Sequence, residues 1–187
     1  LFLVAFPLWA IVAGRGSLVA WSWLRRRLSV RLAGGLLAVL FTIQAWGLIG
    51  LHPCQLGFYN LLVGGPAGAE RLGLEPTYWG DSLTRGFLER VVQQVPADQT
   101  IAVFPSLYPH QWDAYRHAPV WGNNSRKLPL LGTPDAQDAG YLMIFRRKAD
   151  LPDFLRSDPP GSQRLVTLTR GGVVLAVLYR WSAAAGQ

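Results

Sequence analysis

The sequence predicts an α/β protein in which two N-terminal transmembrane helices precede a small extracytoplasmic α/β domain that ends in a β-hairpin. Three observations support this fold class: an uncharged apolar run over residues 32–51, no Asp, Glu or Lys before Glu70, and alternating helix and strand patterns after residue 80. The predicted boundaries are spans at about 1–24 and 32–51, an Arg-rich loop 25–31, an interfacial linker 52–80 and an outer domain 81–187.

Residues 32–51 form the clearer of the two predicted spans. These twenty residues carry no charge, and a helix of that length is about 30 Å long, which matches the hydrocarbon thickness of a bilayer. Residues 1–24 are also apolar but include Pro7 and Arg15, and a charge within a span is costly unless it faces other protein. The first helix could therefore end near Ala13. A pair of apolar helices in a soluble protein is the remaining alternative.

Arginines determine the predicted orientation. Four of them lie within residues 25–31, and short basic loops remain on the cytoplasmic side of a membrane. The sequence therefore predicts a multi-pass protein of the plasma (inner) membrane, with the lipid bilayer as a partner and the C-terminal domain outside the cytoplasm. Together with Arg15 these arginines supply five of the seven net positive charges, so the basic balance does not indicate nucleic-acid binding.

The segment 52–80 is rich in aromatic residues and glycine, and its first part, residues 53–63, is predicted to lie at the outer headgroup level. Its glycines do not form a phosphate loop, because the GxxxxGK[ST] pattern is absent. No cofactor is predicted. Cys54 is the only cysteine, so no internal disulfide forms. We expect this residue to be a small interfacial hydrophobe.

The outer domain shows a helix, strand, helix, strand order before its hairpin. Residues 81–95 have amphipathic helical spacing with Asp81 or Ser82 as the N-cap. Strands connected through helices are parallel, whereas the final pair around Gly171 and Gly172 is an antiparallel hairpin. The other predicted elements are strands 100–104, 140–145, 165–169 and 173–181, short helices 107–117 and 151–156, and a loop at 119–134.

Two groups of polar residues are candidates for chemistry. Tyr78, Trp79 and Asp81 combine aromatic faces with a carboxylate, as a sugar-binding surface does, although packing of the two aromatic side chains with Asp81 as a helix cap is the favoured interpretation. His110, Asp113 and His117 share a helical face with metal-ligand spacing. The HExxH pattern is absent, so ordinary surface groups are favoured and no metal site is predicted.

The run HPCQLGFYNLLVGGPAGAERLG, followed by TYWGDSL, resembles the junction of bacterial dolichyl-phosphate-mannose protein mannosyltransferase-like glycosyltransferases. Those proteins are polytopic and have the C-type glycosyltransferase architecture. Their typical pattern is HPY-x-LSYYN-x-LVGG-x-x-GA, followed by YWG. Here Cys54 replaces the usual Tyr, and Gly57 and Phe58 replace Ser and Tyr. The resemblance covers about residues 32–90.

The resemblance implies an enzyme that transfers a sugar from a polyprenyl-phosphate carrier to an acceptor on the outer face. The catalytic acid of such enzymes lies in the first outer loop, and this chain has no acidic residue before Glu70. The chain is therefore expected to be a C-terminal fragment without catalytic residues, which meets the polyprenyl-phosphate-linked sugar donor through the missing part. The candidate substrate-binding residues are His52, Tyr59, Asn60, Tyr78, Trp79 and Asp81.

A non-catalytic, membrane-anchored extracytoplasmic binding module is the alternative from a different functional class. It predicts a complete and stable chain of two spans and one outer domain. The transferase hypothesis predicts further spans upstream, because the sequence is already apolar at Leu1 and shows no ordered signal-peptide pattern.

Overall fold

The computed structural model describes residues 5–78, 80–122 and 126–181, and the chain divides into two compact units, Leu1–Trp46 and Gly47–Gln187. Two long helices lead the chain, α1 (Ala5–Arg27) and α2 (Val30–Gly50). Among the described helices, α2 is the one that is long and apolar enough to cross a membrane by length and composition. Most of its side chains are exposed, as expected of a helix whose apolar faces have no protein partner.

The predicted Arg-rich loop is shorter than expected. Helix α1 continues through Arg25, Arg26 and Arg27, and α2 already includes Arg31, so that only Leu28 and Ser29 connect the two helices. Cations in the last helical turn interact favourably with the backbone dipole. This favours continuation of α1 through the arginines over an early end of the helix.

The segment 52–80 is not a separate linker, because it folds as part of the second unit. It contains 3₁₀ turns at Gln55–Gly57 and Leu61–Val63, and helix α3 (Gly65–Arg71). Cys54 and Ala69 are buried within it at 0% and 1% exposure. Such small side chains allow the backbone to pack closely against the rest of the domain.

The rest of the second unit alternates helices and strands as the sequence predicts. Its elements in chain order are α4 (Arg85–Gln94), β1 (Ile101–Phe104), α5 (Pro109–Arg116), β2 (Tyr141–Phe145), α6 (Asp153–Arg156), β3 (Gln163–Arg170) and β4 (Val173–Arg180). The strands form one mixed sheet in the order β1-β2-β4-β3. The prediction of a parallel first pair is confirmed for β1 and β2, and the antiparallel hairpin is confirmed for β3 and β4.

Both faces of the sheet are covered by apolar residues, and the strands alternate between the two faces. In β1, Ile101 and Val103 join the larger cluster with α4, whereas Ala102 joins a smaller cluster with Leu151 and Leu155. This period of two is the geometry of an extended strand. The central strand β2 is buried along its whole length.

Two details differ from the sequence prediction. The N-cap of α4 is Thr84, whose hydroxyl oxygen accepts the N–H of Phe87 at 3.2 Å, rather than Asp81 or Ser82. Part of the predicted loop 119–134 runs along the edge of β1, where the N–H of Val103 donates to Pro129 at 2.9 Å. Proline is tolerated at a sheet edge because its missing N–H can face away from the neighbouring strand.

Candidate functional site

The carboxyl ends of the parallel strands β1 and β2 meet at one edge of the sheet, and open α/β sheets bind ligands in crevices at this edge. Residues 75–78 and 80–82 lie at that edge. The Thr77 hydroxyl donates to the carbonyl of Arg146, just after β2, at 3.3 Å. Gly80 packs on Leu107, just after β1, and a Cβ on this glycine would lie 3.0 Å from Leu107 Cδ1. Two of the predicted site residues, Tyr78 and Asp81, therefore border the edge.

Tyr59 and Tyr78 meet at their hydroxyl groups. The two oxygens are 3.3 Å apart, and the Tyr59 hydroxyl also donates to the backbone carbonyl of Glu75 at 2.8 Å. Burial, followed by the hydrogen bond with Tyr78, raises the pKa of Tyr59. Because the single Tyr59 proton goes to the Glu75 carbonyl, the Tyr78 hydroxyl donates to the Tyr59 oxygen, and Tyr59 stays neutral and holds the 75–78 backbone.

Asp81 closes a turn with Tyr78. Its Oδ1 accepts the N–H of Tyr78 at 3.3 Å, and its own N–H donates to the Tyr78 carbonyl at 3.1 Å. Within the described part of the chain, the buried Oδ2 atom has no hydrogen-bond partner. Burial raises the pKa of this carboxyl, and the backbone N–H groups of Tyr78 and Ser82 oppose that shift.

Two further side chains surround this turn. The Tyr115 hydroxyl donates to the carbonyl of Gly80 at 3.0 Å, and burial together with the charge of Asp81 raises the pKa of Tyr115. The Cys54 thiol donates to the carbonyl of Asp81 at 3.9 Å. Burial is the main cause that raises the pKa of Cys54 to about 11. A buried thiol that stays protonated is a packing group and a weak nucleophile.

The side chains of His52 and Asn60 make their hydrogen bonds outside this cluster. Nδ1 of the exposed His52 ring lies 2.7 Å from Nε2 of Gln55. The side chain of Asn60 caps the second 3₁₀ turn, since its Oδ1 accepts the N–H of Leu62 at 3.0 Å. Trp79 lies outside the described residues. Among the five predicted site residues that the structure describes, Tyr78 contacts both Tyr59 and Asp81.

The side chains of His110, Asp113 and His117 on and after α5 do not converge on a common position where a metal ion could bind. Nδ1 of His117 lies 2.9 Å from the backbone carbonyl oxygen of Asp113 and 3.3 Å from its carboxylate, and the ring of His110 stacks on Tyr108 with centroids 5.9 Å apart. Across residues 5–78, 80–122 and 126–181, no group of three His, Cys, Asp or Glu side chains is arranged to hold a metal ion.

A cationic cavity lies at the end of β2 and was missed by the sequence analysis. Its volume is about 380 Å³, and its lining residues are Glu70, Pro76, Arg146, Lys148, Leu151 and Arg156. The sequence held one signal for it, since Arg146, Arg147 and Lys148 directly follow the buried strand β2. A basic run at the carboxyl end of a parallel strand is placed where ligands bind.

Comparison with known proteins adds no relative. No family model matches the sequence, and no curated protein or solved structure matches it either. The function proposed for this chain therefore rests on its residues and its geometry.

Proposed function

We propose that this chain is the C-terminal part of a membrane glycosyltransferase, which transfers a sugar from a polyprenyl-phosphate donor to an extracytoplasmic acceptor. The observation that supports it is the way the junction motif folds. The glycines shared with the mannosyltransferase-like pattern occupy positions where a side chain would be strained or would clash. The motif is therefore a structural element with its own steric requirements, and this supports a relationship to the family whose pattern it resembles.

The relevant glycines are Gly64, Gly65 and Gly68. The first two have φ angles of 78° and 65°, in the left-handed region that favours glycine. A Cβ on Gly68 would overlap the backbone carbonyl of Val63. Gly64 connects the second 3₁₀ turn to α3, and Gly65 and Gly68 lie in the first turn of α3. The three correspond to the glycines of LVGG-x-x-GA.

The departures from the family pattern also have a structural account. A Cβ on Gly57, where the pattern has Ser, would lie 2.5 Å from the Pro76 carbonyl oxygen. A side chain at that position requires the backbone at Pro76 to move. Cys54, where the pattern has Tyr, is fully buried. Both replacements reduce volume, which is consistent with closer packing of the 52–80 segment in this chain.

The proposed topology has two membrane spans, α1 and α2, with Arg25–Arg27 on the cytoplasmic side and the second unit outside, in the plasma (inner) membrane. α1 has 23 residues and α2 has 21, and each length is sufficient to cross the hydrocarbon core. The clustered arginines at the connection between the helices support this orientation through the positive-inside rule. Arg15, inside α1, would face neighbouring helices of the parent protein.

The outer domain has a supporting role in this proposal. The chain contains no Asp or Glu before Glu70, so the catalytic acid lies in another part of the parent protein. The hydrogen bonds of Tyr59, Tyr78 and Asp81 hold the junction segment together, which favours packing over sugar contact for these residues. We propose that the domain covers the mouth of the active site or helps to select the acceptor.

The test uses the native protein isolated from its own membranes with an antibody against the outer domain. We expect intact-mass measurement to reveal a longer polypeptide with further spans. We also expect the membranes to transfer radiolabelled sugar from a polyprenyl-phosphate donor. A polypeptide with only these two spans and no sugar transfer would overturn the proposal and favour the anchored binding module.

A further inference from the structure

The cationic cavity at the end of β2 is built from three separate parts of the second unit. Glu70 belongs to α3, Arg146 and Lys148 follow β2, and Arg156 ends α6. Pro76 and Leu151 supply apolar wall. A cavity of about 380 Å³ lies within the range of small-molecule sites in proteins.

The charges of this cavity are unbalanced. Three cationic side chains and one carboxylate line it. Among the residues that the structure describes, Arg146 and Lys148 form no ion pair, and Arg156 pairs with Asp153, whose side chain is 93% exposed. Clustered cations repel one another, and an anion that enters the cavity removes that repulsion.

Nearby carboxylates are engaged elsewhere. Glu75 accepts the backbone N–H groups of Lys148 and Ala149 at 2.6 and 3.0 Å. Asp150 pairs with Arg147 at 3.0 Å. Asp158 is close enough to Arg146 for that charge to lower its pKa, but its hydrogen bonds come from Arg164 and Tyr179. These three carboxylates therefore make their hydrogen bonds and ion pairs with groups other than the side-chain donors of Arg146 and Lys148.

Backbone carbonyls hold the cationic side chains in place. Lys148 Nζ donates to the carbonyl of Glu70 at 2.8 Å, and an Arg146 guanidinium N–H donates to the carbonyl of Arg156. Each of these contacts uses one donor, whereas lysine has three and arginine has five. Prior fixation of long side chains reduces the entropy that binding must remove.

We infer that this cavity binds the phosphate group of a phosphate ester, with Arg146, Lys148 and Arg156 as its donors. Phosphate offers more acceptor oxygens and more charge than a carboxylate, and the guanidinium fork matches its geometry. Pro76 and Leu151 would contact the esterified part of the ligand. The ester is either soluble or carried by a lipid. This inference goes beyond the proposed function, since phosphate binding requires no sugar transfer.

The test measures binding to the full chain in detergent or in nanodiscs, with two probes. One probe is a hexose 1-phosphate in solution, and the other is a polyprenyl monophosphate in the nanodisc lipid. We expect saturable binding of at least one probe. Lys148→Gln and Arg156→Gln should each raise its Kd by about five- to tenfold, because each removes one charge-assisted contact.

Arg90→Gln is the charge-matched control. Arg90 lies on α4, is exposed and does not line the cavity, so its substitution should leave the Kd within about twofold of the unsubstituted protein. Lys148→Arg should retain binding, and thermal unfolding verifies that each variant is folded. If only the polyprenyl monophosphate binds, the natural ester is carried by a lipid. If the hexose 1-phosphate binds, the phosphate group is sufficient for recognition without a lipid.

Absence of saturable binding for both probes would overturn the inference. Equal loss of affinity in Arg90→Gln and Lys148→Gln would overturn it as well, because that result assigns the effect to net charge. Phosphate binding without any sugar transfer by the native protein would retain this site and remove the proposed transferase function.

Discussion

Asp81 and Tyr78 exchange two hydrogen bonds across one turn: the carboxylate of Asp81 accepts the N–H of Tyr78, and the N–H of Asp81 donates to the carbonyl of Tyr78. This turn lies between α3 and α4. It leaves Asp81 Oδ2 buried without a hydrogen-bond partner in the described part of the chain. The cost of an ionised carboxylate in such a position is measurable as a dependence of stability on pH.

Asp81 should make the folded state less stable as the pH rises. Burial raises the pKa of its carboxyl above the ordinary 3.8, so the folded protein holds this proton more tightly than the unfolded chain does. The free energy of unfolding therefore falls as the pH rises from about 3.8 through the raised value. Asp81→Asn should remove this fall and increase stability at neutral pH, as measured by chemical denaturation across pH.

Asp158 provides a control of opposite sign. Hydrogen bonds from Arg164, at 2.7 Å, and from the Tyr179 hydroxyl, at 2.7 Å, lower the pKa of its carboxyl. The hydrogen-bonded carboxylate of Asp158 stabilises the folded state at pH values above its ordinary pKa of 3.8. This stabilisation is lost as the pH falls through the lowered pKa of the folded protein. Asp158→Asn should cost less than about 1 kcal/mol at neutral pH, because the pair is partly exposed and screened. For Asp81, in contrast, a loss of stability at neutral pH on substitution by Asn would contradict the prediction that its carboxylate destabilises the folded state.

Gly68→Ala should destabilise the second unit by roughly 1–3 kcal/mol, because a Cβ there meets the Val63 carbonyl and forces the backbone to shift. Gly86→Ala is the matched control. Gly86 lies in α4 with nothing within 4 Å of its added Cβ, so this substitution should stabilise by about 0.5–1 kcal/mol. Thermal unfolding in detergent measures both. Equal effects of the two substitutions would show that the turn at Val63 does not constrain position 68.

Cys54 should resist thiol reagents in the folded protein. Its pKa of about 11 lies about two units above that of an ordinary thiol, which lowers the thiolate fraction near pH 8 about a hundredfold. The side chain is also fully buried. Maleimide labelling followed by mass spectrometry should show slow modification in the native state and rapid modification in denaturant. Native labelling at the rate of a small-molecule thiol would contradict the packing seen around Cys54.

The two ends of α2 should lie on opposite sides of the membrane. In a Cys54→Ala background, a membrane-impermeant maleimide added to intact cells should label Ser157→Cys, in the second unit, and leave Ser29→Cys unlabelled. Ser29 lies between α1 and α2. Permeabilised cells supply the control in which both positions react. Labelling of Ser29→Cys alone in intact cells would reverse the proposed orientation.

Leu62 should contact lipid at the outer surface. Its side chain is 93% exposed, and Leu56 and Leu61 beside it are also exposed, which is costly for apolar groups in water. A fluorophore on Leu62→Cys in nanodiscs should be quenched by nitroxide-labelled lipids. Val92→Cys, at an exposed apolar position on α4, should be quenched less. Equal quenching at positions 62 and 92 would show that Leu62 does not contact lipid preferentially.

The sequence by itself determined the elements that depend on local pattern. The uncharged run before His52 specified α2, the amphipathic spacing specified α4, and Gly171 with Gly172 specified the hairpin turn. Hydrophobic periodicity and turn chemistry act over a few residues, so both are readable from the chain. The N-cap of α4 was misassigned, because Asp81, Ser82 and Thr84 are all capping residue types and the tertiary environment selected Thr84.

Only the tertiary structure decided which distant residues meet. Thr77 bonds to Arg146 across 69 positions, and Lys148 bonds to Glu70 across 78. These contacts fold the segment 52–80 into the domain and assemble the cationic cavity. Local propensity does not encode such pairings, since they depend on how a buried sheet places the ends of its strands beside segments far away in the chain.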